Sequence, residues 1–135
     1  MKFIFLSLMI AIIASCSNSG SAVGKQLSGC DSLVINFTAP QSDAVIKSVA
    51  TTEEKAIKKL TRFVDGKEAA EFKCGYNGHL LFYSKGKLIS NVSFNYADDG
   101  CKHFILTVNE KLVSTTMSNE GADFLKSLEE GKNWY

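Results

Sequence analysis

Two cysteines and two histidines of the chain are residue types that bind zinc: Cys74, His79, Cys101 and His103. Cys101 and His103 are two residues apart, so both side chains would point to the same face of a β-strand. Two thiolates and two imidazoles can complete a closed tetrahedral zinc site, which would be structural. The spacings, however, are not those of a zinc finger or a zinc ribbon. We therefore keep zinc as an alternative and expect a disulfide between Cys74 and Cys101, with no cofactor.

Catalytic motifs are scarce in this sequence. It has two histidines, no Gly-x-Ser-x-Gly nucleophile elbow, no phosphate-binding glycine loop and no His-Glu-x-x-His pattern. One enzymatic alternative is a thiol nucleophile activated by a histidine, for example His103 with Cys30 or Cys101. The acidic segment Asp98-Asp99-Gly100 is typical of a turn and lacks the other ligands of a calcium loop. We therefore predict no catalytic residue and a protein that is not an enzyme.

The beginning of the chain has the pattern of a secretion signal. Lys2 is followed by an uninterrupted apolar run from Phe3 to Ala14. This run is shorter than the roughly 20 apolar residues that a transmembrane helix needs, and a polar segment rich in Ser and Gly follows it. We therefore expect residues 1–15 to be a signal peptide that is cleaved off.

The apolar run ends in Ile13-Ala14-Ser15-Cys16, which resembles the lipobox of bacterial lipoproteins. In that motif a branched aliphatic residue and two small residues precede a cysteine. The resemblance is confined to this tetrapeptide, and it implies that the Cys16 thiol is acylated, for example with palmitate. It also implies a mature protein that begins at Cys16 and is anchored to a lipid membrane of the cell envelope, facing the periplasm or the cell surface. The alternative is an ordinary signal peptide cut near Ala14 or Ala22.

Three cysteines remain if Cys16 is acylated, and an oxidising compartment then permits one disulfide and one free thiol. Cys74 and Cys101 both lie next to turn signals at the same end of a predicted run of strands. This placement favours their pairing and leaves Cys30 free. In a flat sheet two strands would separate the pair. We therefore also predict that the sheet is strongly curled or that residues 71–74 leave it and fold across the turn.

The charge balance argues against a nucleic-acid partner. Lys2 is the charged residue removed with the signal peptide, so 14 basic and 14 acidic residues remain. The densest basic cluster, over residues 55–62, follows two glutamates on a predicted helix, which is typical of a solvent-exposed helix face. We expect one domain at residues 30–135, after a flexible tether at residues 16–29 that is rich in Ser and Gly.

Hydrophobic periodicity predicts an α+β domain. Residues 32–37 form a β-branched, apolar strand, whereas residues 44–50 are ambiguous and could form a short extended piece. Thr51 and Glu54 have the spacing of a capping box, in which each side chain bonds a free backbone amide at the start of a helix. Apolar residues then recur at helical spacing until Asp65-Gly66 ends the helix.

Beyond this helix the apolar period changes to two, and short apolar runs alternate with turn signals. This pattern predicts an antiparallel meander. Ser118 is the predicted cap of a second helix that ends at Gly131. The sequence thus predicts an antiparallel β-meander of about five strands with two α-helices packed on one face. The residues predicted to form the core are Leu33, Ile35, Leu60, Val64, Leu88, Val92, Phe94, Phe104, Leu106 and Leu125.

Two surfaces are candidates for recognition. Polar residues occupy the strand face opposite the predicted core, so that face is expected to meet water or a partner: Lys87, Asn91, Ser93 and Asn95. Aromatic residues near turns and at the C-terminus could form a patch instead: Tyr76, Tyr83, Tyr96, Trp134 and Tyr135. We therefore expect a non-enzymatic binding or inhibitory module for a protein or envelope ligand. A structural envelope lipoprotein and a small thiol or Cys–His enzyme are the alternatives.

Overall fold

The computed structural model describes residues 21–70 and 74–134, which form three α-helices and six β-strands. The elements in chain order are α1 (Ala22–Leu27), β1 (Ser32–Thr38), β2 (Val45–Thr51), α2 (Glu54–Val64), β3 (Gly78–Ser84), β4 (Lys87–Asn95), β5 (His103–Val108), β6 (Lys111–Thr116) and α3 (Asn119–Glu129). The strands make one antiparallel sheet in the order β2-β1-β3-β4-β5-β6. The α+β class is confirmed, but the described chain has one strand and one helix more than predicted.

The six strands run between the same two ends of the sheet. At one end, which we call the turn end, Lys85-Gly86 joins β3 to β4 and Asn109-Glu110 joins β5 to β6. At the other end, which we call the cleft end, lie the β1–β2 connection, the start of β3 and the end of β4. Strands of 6 to 9 residues place the two ends roughly 20–30 Å apart.

The core lies between one face of the sheet and the helices. In β1, Leu33, Ile35 and Phe37 are fully buried, whereas Val34 and Asn36 on the opposite face are only partly covered. This alternation follows from the two-residue period of a strand. The helices close the core with Val23 and Leu27 from α1, Ile57, Leu60 and Val64 from α2, and Ala122, Phe124, Leu125 and Leu128 from α3.

Every residue of the predicted core is buried except Leu88, which is 47% exposed. The β3–β4 pairing contains a register shift, because Phe82 lies opposite Ser90 whereas Tyr83 lies opposite Leu88. Ile89 is thus the additional residue of a β-bulge. A shift of one residue moves the side chains before it to the other face of the sheet. Strict alternation along β4 therefore predicts the wrong face of the sheet for Leu88.

The prediction of a flexible tether over residues 16–29 is wrong where α1 forms. Val23 and Leu27, one helical turn apart, are only 6% and 1% exposed. A helix of 6 residues is too short to be stable alone, so packing on the sheet must stabilise it. Its Ser- and Gly-rich flanks resemble a linker in composition. Residues 16–20 lie outside the described residues, and with them the lipidation predicted at Cys16.

Helix α2 does not begin with the predicted capping box. Thr51 is the last residue of β2, and its Oγ1 accepts a hydrogen bond from the Glu53 amide at 3.1 Å. Glu53 therefore takes the N-cap position and Glu54 begins the helix. Residues 44–50, ambiguous in sequence, mostly pair with β1 as strand β2. The predicted end is confirmed, because Asp65 is the C-cap.

Helix α3 follows the prediction closely. Ser118 is the N-cap, and its hydroxyl accepts a hydrogen bond from the Gly121 amide at 3.0 Å. Gly131 adopts a φ of +86° just beyond the helix, a conformation that glycine adopts without strain. Lys47 donates from Nζ to the carbonyl of Glu129 at 2.7 Å, which attaches the end of α3 to β2.

Candidate binding cleft

Three segments that are distant in sequence meet at the cleft end of the sheet. Residues 40–43 belong to the β1–β2 connection, residues 75–77 precede β3, and residues 95–98 include the end of β4 and the loop after it. Between them lies an open cleft of about 580 Å³. This volume is within the range of pockets that hold small molecules or side chains of a partner.

A disulfide joins Cys74 to Cys101 beside this cleft, as predicted. Their Cα atoms are 6.0 Å apart, and 27 residues separate them in sequence. Cys74 lies outside every described strand, which agrees with the prediction that its segment leaves the sheet; residues 71–73 lie outside the described residues. The crosslink holds the chain before β3 against the chain before β5. In the chain-entropy model a loop of this length contributes roughly 3–4 kcal/mol to stability.

Asn95 is a buried polar residue in the floor of the cleft. Its amide nitrogen donates to the Gly75 carbonyl at 2.8 Å and to Oδ2 of Asp98 at 2.9 Å, and its Oδ1 accepts from the Asp98 amide at 3.2 Å. The side chain is fully buried, so the prediction that Asn95 faces water or a partner is wrong. It does lie opposite the core face, but the chain around Gly75 covers it there. These bonds fix two walls of the cleft.

Asn77 connects its own segment to β4, to the loop after β4 and to the end of β1, through both its backbone and its side chain. Its amide donates to the Phe94 carbonyl at 2.7 Å, and its carbonyl accepts from the Thr38 amide at 2.8 Å. Its side-chain Oδ1 accepts from the amides of Tyr96 at 2.8 Å and Ala97 at 3.1 Å. The sequence pattern marks Asn77 as a turn residue. Its role in fixing a loop about 20 residues away has no local signal.

Tyr76 borders the cleft and is 38% exposed. Its hydroxyl donates a hydrogen bond to a carboxylate oxygen of Asp43, and its ring centroid lies 4.9 Å from that of His79. The described lining of the cleft contains the carboxylates of Asp43 and Asp98 and no lysine or arginine. The cleft therefore favours a neutral or cationic ligand that donates hydrogen bonds.

The zinc alternative is wrong for the cysteines, because both sulfur atoms are used in the disulfide and neither is free as a thiolate. The histidines have other neighbours. His79 Nδ1 lies 3.2 Å from Ser93 Oγ, and His103 Nδ1 is hydrogen-bonded to the carbonyl of Cys101. Among the described residues, no three or more His, Cys, Asp or Glu side chains are grouped to hold a metal ion.

Cys30 has a free thiol, as predicted. It is half-buried in a second cleft of about 560 Å³ between α1 and α2. Burial, with a further contribution from the Asp31 carboxylate, raises the pKa of this thiol, so it stays protonated at neutral pH and is a poor nucleophile. His103 begins β5 at the cleft end whereas Cys30 precedes β1 at the turn end, so the structure does not assemble the proposed Cys30–His103 pair.

The predicted aromatic patch is not brought together. Tyr76 lies at the cleft, whereas Tyr83 lies at the opposite end of β3. Tyr96 is half-buried against core aromatic rings, and Trp134 packs against α3. Tyr135 lies outside the described residues. Of this set, Tyr76 is the described member that lines the cleft.

A comparison of the chain with protein families, curated proteins and solved structures finds no match. Within the part of the chain that the structure describes, no helix has both the length and the apolar character needed to cross a membrane. The functional interpretation therefore depends on the cleft and on the chemistry of the surface.

Proposed function

We propose that the protein is a lipid-anchored, non-enzymatic binding module of the bacterial cell envelope whose ligand occupies the cleft. The observation that carries this proposal is the way in which the cleft is held. The Cys74–Cys101 disulfide and the side chains of Asn77 and Asn95 fix segments that are distant in sequence. A site that is rigid before binding loses less conformational entropy when its ligand binds. A cleft whose loops are held in place before binding therefore suits recognition of a ligand.

The chemistry of the lining supports binding rather than catalysis. Two carboxylates, the exposed Gln41 carboxamide and one exposed tyrosine provide hydrogen-bond acceptors and a flat apolar surface. Asp43 and Asp98 give the cleft negative charge without a lysine or arginine in its described lining. We propose a ligand with cationic side chains, such as a basic segment of an envelope protein, because opposite charge increases both the rate and the specificity of association.

The position of α1 supports an anchored arrangement in which the cleft points away from the membrane. Gln26 of α1 donates from Nε2 to Ser90 Oγ at 3.1 Å and to the Thr107 carbonyl at 2.8 Å, which places α1 against β4 and β5 towards the turn end. Acylation of Cys16, which the lipobox resemblance implies, would hold α1 near the lipid, and we propose that the turn end faces the membrane. The cleft would then stand roughly 20–30 Å further out.

Capture from an envelope extract tests this proposal. The full-length chain, extracted from membranes, should retain its ligand, whereas Tyr76→Ala and Asp43→Asn should each lose most of it, because an exposed aromatic contact and a charged contact are removed. Loss of a central contact worth about 2 kcal/mol weakens binding roughly 30-fold. Asp123→Asn is the matched control, since Asp123 is exposed on α3 and does not line the cleft.

Two outcomes would contradict the proposal. Equal capture by the control and both cleft variants would favour the alternative of a structural envelope lipoprotein. An intact mass that shows an unmodified N-terminus at a residue other than Cys16 would contradict the lipid anchor. The unfolding midpoints of the variants, measured in parallel, establish that each one is folded.

A further inference from the structure

The turn end of the sheet combines exposed apolar side chains with lysines. Leu88, Ile89 and Leu112 are 47%, 39% and 59% exposed and lie next to the two turns that join β3 to β4 and β5 to β6. The exposed lysines around them are Lys25, Lys85, Lys87 and Lys111. None of these four lysines makes an ion pair with a described residue. Their charges are therefore available to a partner.

The charge of the turn end is positive overall. Its acidic residues are Asp31, Glu53, Glu54 and Glu110. The start of α2 adds Lys55 and Lys58 to the four lysines above, so the turn end has six basic and four acidic side chains. Lys58 pairs with Glu54 at 2.7 Å, and both side chains are strongly exposed. The cleft end has the opposite balance, because its acidic residues, Asp43, Asp98, Asp99, Asp123, Glu129 and Glu130, outnumber its lysines, Lys47, Lys102 and Lys126.

The N-terminal part of the described chain lies between the two hairpins at this end. The β4–β5 pairing is confined to residues 93–95 and 103–105, and nearer the turns the Gln26 side chain bridges the two strands. Ala22 and Lys25 lie beside Asn109 of the β5–β6 turn. Ser21 precedes α1 and donates a hydrogen bond to the carboxylate of Asp65 at the end of α2, and five residues extended can span at most about 17 Å. A lipid on Cys16 would therefore keep the domain near the membrane, and the chemistry of the turn end determines which part of the domain touches it.

We propose that the turn end is a lipid-contact surface: its lysines bind anionic headgroups and the side chains of Leu88, Ile89 and Leu112 enter the interfacial layer. The inference rests on the proposed anchoring at Cys16. An apolar group surrounded by lysines is the composition of surfaces that lie on anionic bilayers. The acidic cleft end would be repelled by the same bilayer, so charge and apolar contact favour the same orientation.

A tryptophan probe in the acylated full-length chain tests the contact. Trp134→Phe removes the one native tryptophan, and Ile89→Trp then places the probe at the turn end. Val45→Trp is the matched control, because Val45 is 53% exposed but lies at the cleft end. In vesicles of brominated phosphatidylcholine and phosphatidylglycerol, we expect quenched, blue-shifted emission from the Ile89→Trp probe and unchanged emission from the Val45→Trp probe.

The lysines are tested in the same system. The double substitution Lys85→Gln and Lys87→Gln should lower the equilibrium constant for contact between the turn end and the bilayer roughly 25-fold, at about fivefold for each lysine. The control, Lys126→Gln on α3, should not change it. Replacing phosphatidylglycerol with phosphatidylcholine should have the same effect as the paired substitution.

The outcomes separate this inference from the proposed function. If the mass shows acylated Cys16 but the two probes are quenched equally, or neither is, the lipid contact is wrong and the anchor stands. If no acyl group is found, the proposed anchor is wrong. In that case quenching of the Ile89→Trp probe by added anionic vesicles would still support the lipid contact, and the absence of quenching would contradict it. A blue shift of that probe in the absence of lipid would indicate contact with a second copy and would also contradict the inference.

Discussion

Asn95 illustrates how single polar residues organise the cleft end. Asn95→Ala would leave the Gly75 carbonyl and the Asp98 amide without the bonds that the carboxamide now makes. We expect a loss of about 1–3 kcal/mol in the free energy of unfolding, the cost of leaving buried polar groups unsatisfied. Asn91→Ala is the matched control, because Asn91 lies on the same face of β4 but is exposed. Denaturant titration of both variants measures the difference, and equal losses would contradict the assigned role.

Cys30 is expected to behave as a half-buried, unreactive thiol. Because burial and Asp31 raise the pKa of the folded thiol above its unfolded value, its contribution to stability is fully present at neutral pH. That contribution is lost as the pH rises through the raised pKa. Alkylation by iodoacetamide should be slow at neutral pH, accelerate at alkaline pH and be fast in denaturant, as measured by mass spectrometry. Rapid alkylation of the native protein at neutral pH would favour the thiol-enzyme alternative.

At the scale of elements, the close approach of β1 to the start of β3 depends on Gly78. A Cβ atom at this position would overlap the carbonyl oxygen of Asn36 and the ring of Phe94. Gly78→Ala should therefore separate the strands locally and cost about 1–3 kcal/mol of stability, as other overpacking substitutions do. Gly75→Ala is the control, since a Cβ there meets nothing within 4 Å. Similar thermal midpoints for both variants would mean that the pairing at Gly78 is looser than described.

Elements whose apolar residues follow a regular period were predictable from sequence. Strand β1 and helices α2 and α3 lie close to their predicted positions, because alternation or helical spacing is determined by the residues of the element itself. The exceptions depend on contacts between elements. The bulge at Ile89 reverses the face of Leu88, and α1 is stabilised by packing that its own composition does not reveal.

The candidate site was predictable only through its disulfide. The positions of Cys74 and Cys101 next to turns predict their pairing, and the disulfide confirms it. The roles of Asn77 and Asn95 depend on partners that are brought near by the strand order, and a turn pattern gives no information about them. Tyr76 was one of five aromatic candidates, and only the fold distinguishes it from the other four.

At the scale of the whole molecule, the two ends of the sheet have different chemistry. The cleft end has acidic residues and a disulfide that fixes its loops, whereas the turn end has lysines, exposed apolar side chains and the helix nearest the N-terminus. The strands between them hold these ends apart at a fixed distance. If the turn end lies on lipid, the same rigid sheet presents the cleft to ligands in the aqueous space.

Removal of the disulfide should destabilise the cleft end of the sheet more than the turn end. Cys74→Ser with Cys101→Ser should lower the free energy of unfolding by roughly 3–4 kcal/mol, a large share of the 5–15 kcal/mol of a typical domain. Cys30→Ser is the control, because Cys30 makes no crosslink. Hydrogen exchange should accelerate most in residues 74–77 and 97–101, since these loops lie outside the strands and are held by the crosslink and a few hydrogen bonds. It should accelerate least in α1 and the turns. Hydrogen exchange that accelerates uniformly along the chain would show that the disulfide stabilises the whole domain rather than the cleft. That result would remove the main support for a preorganised binding site.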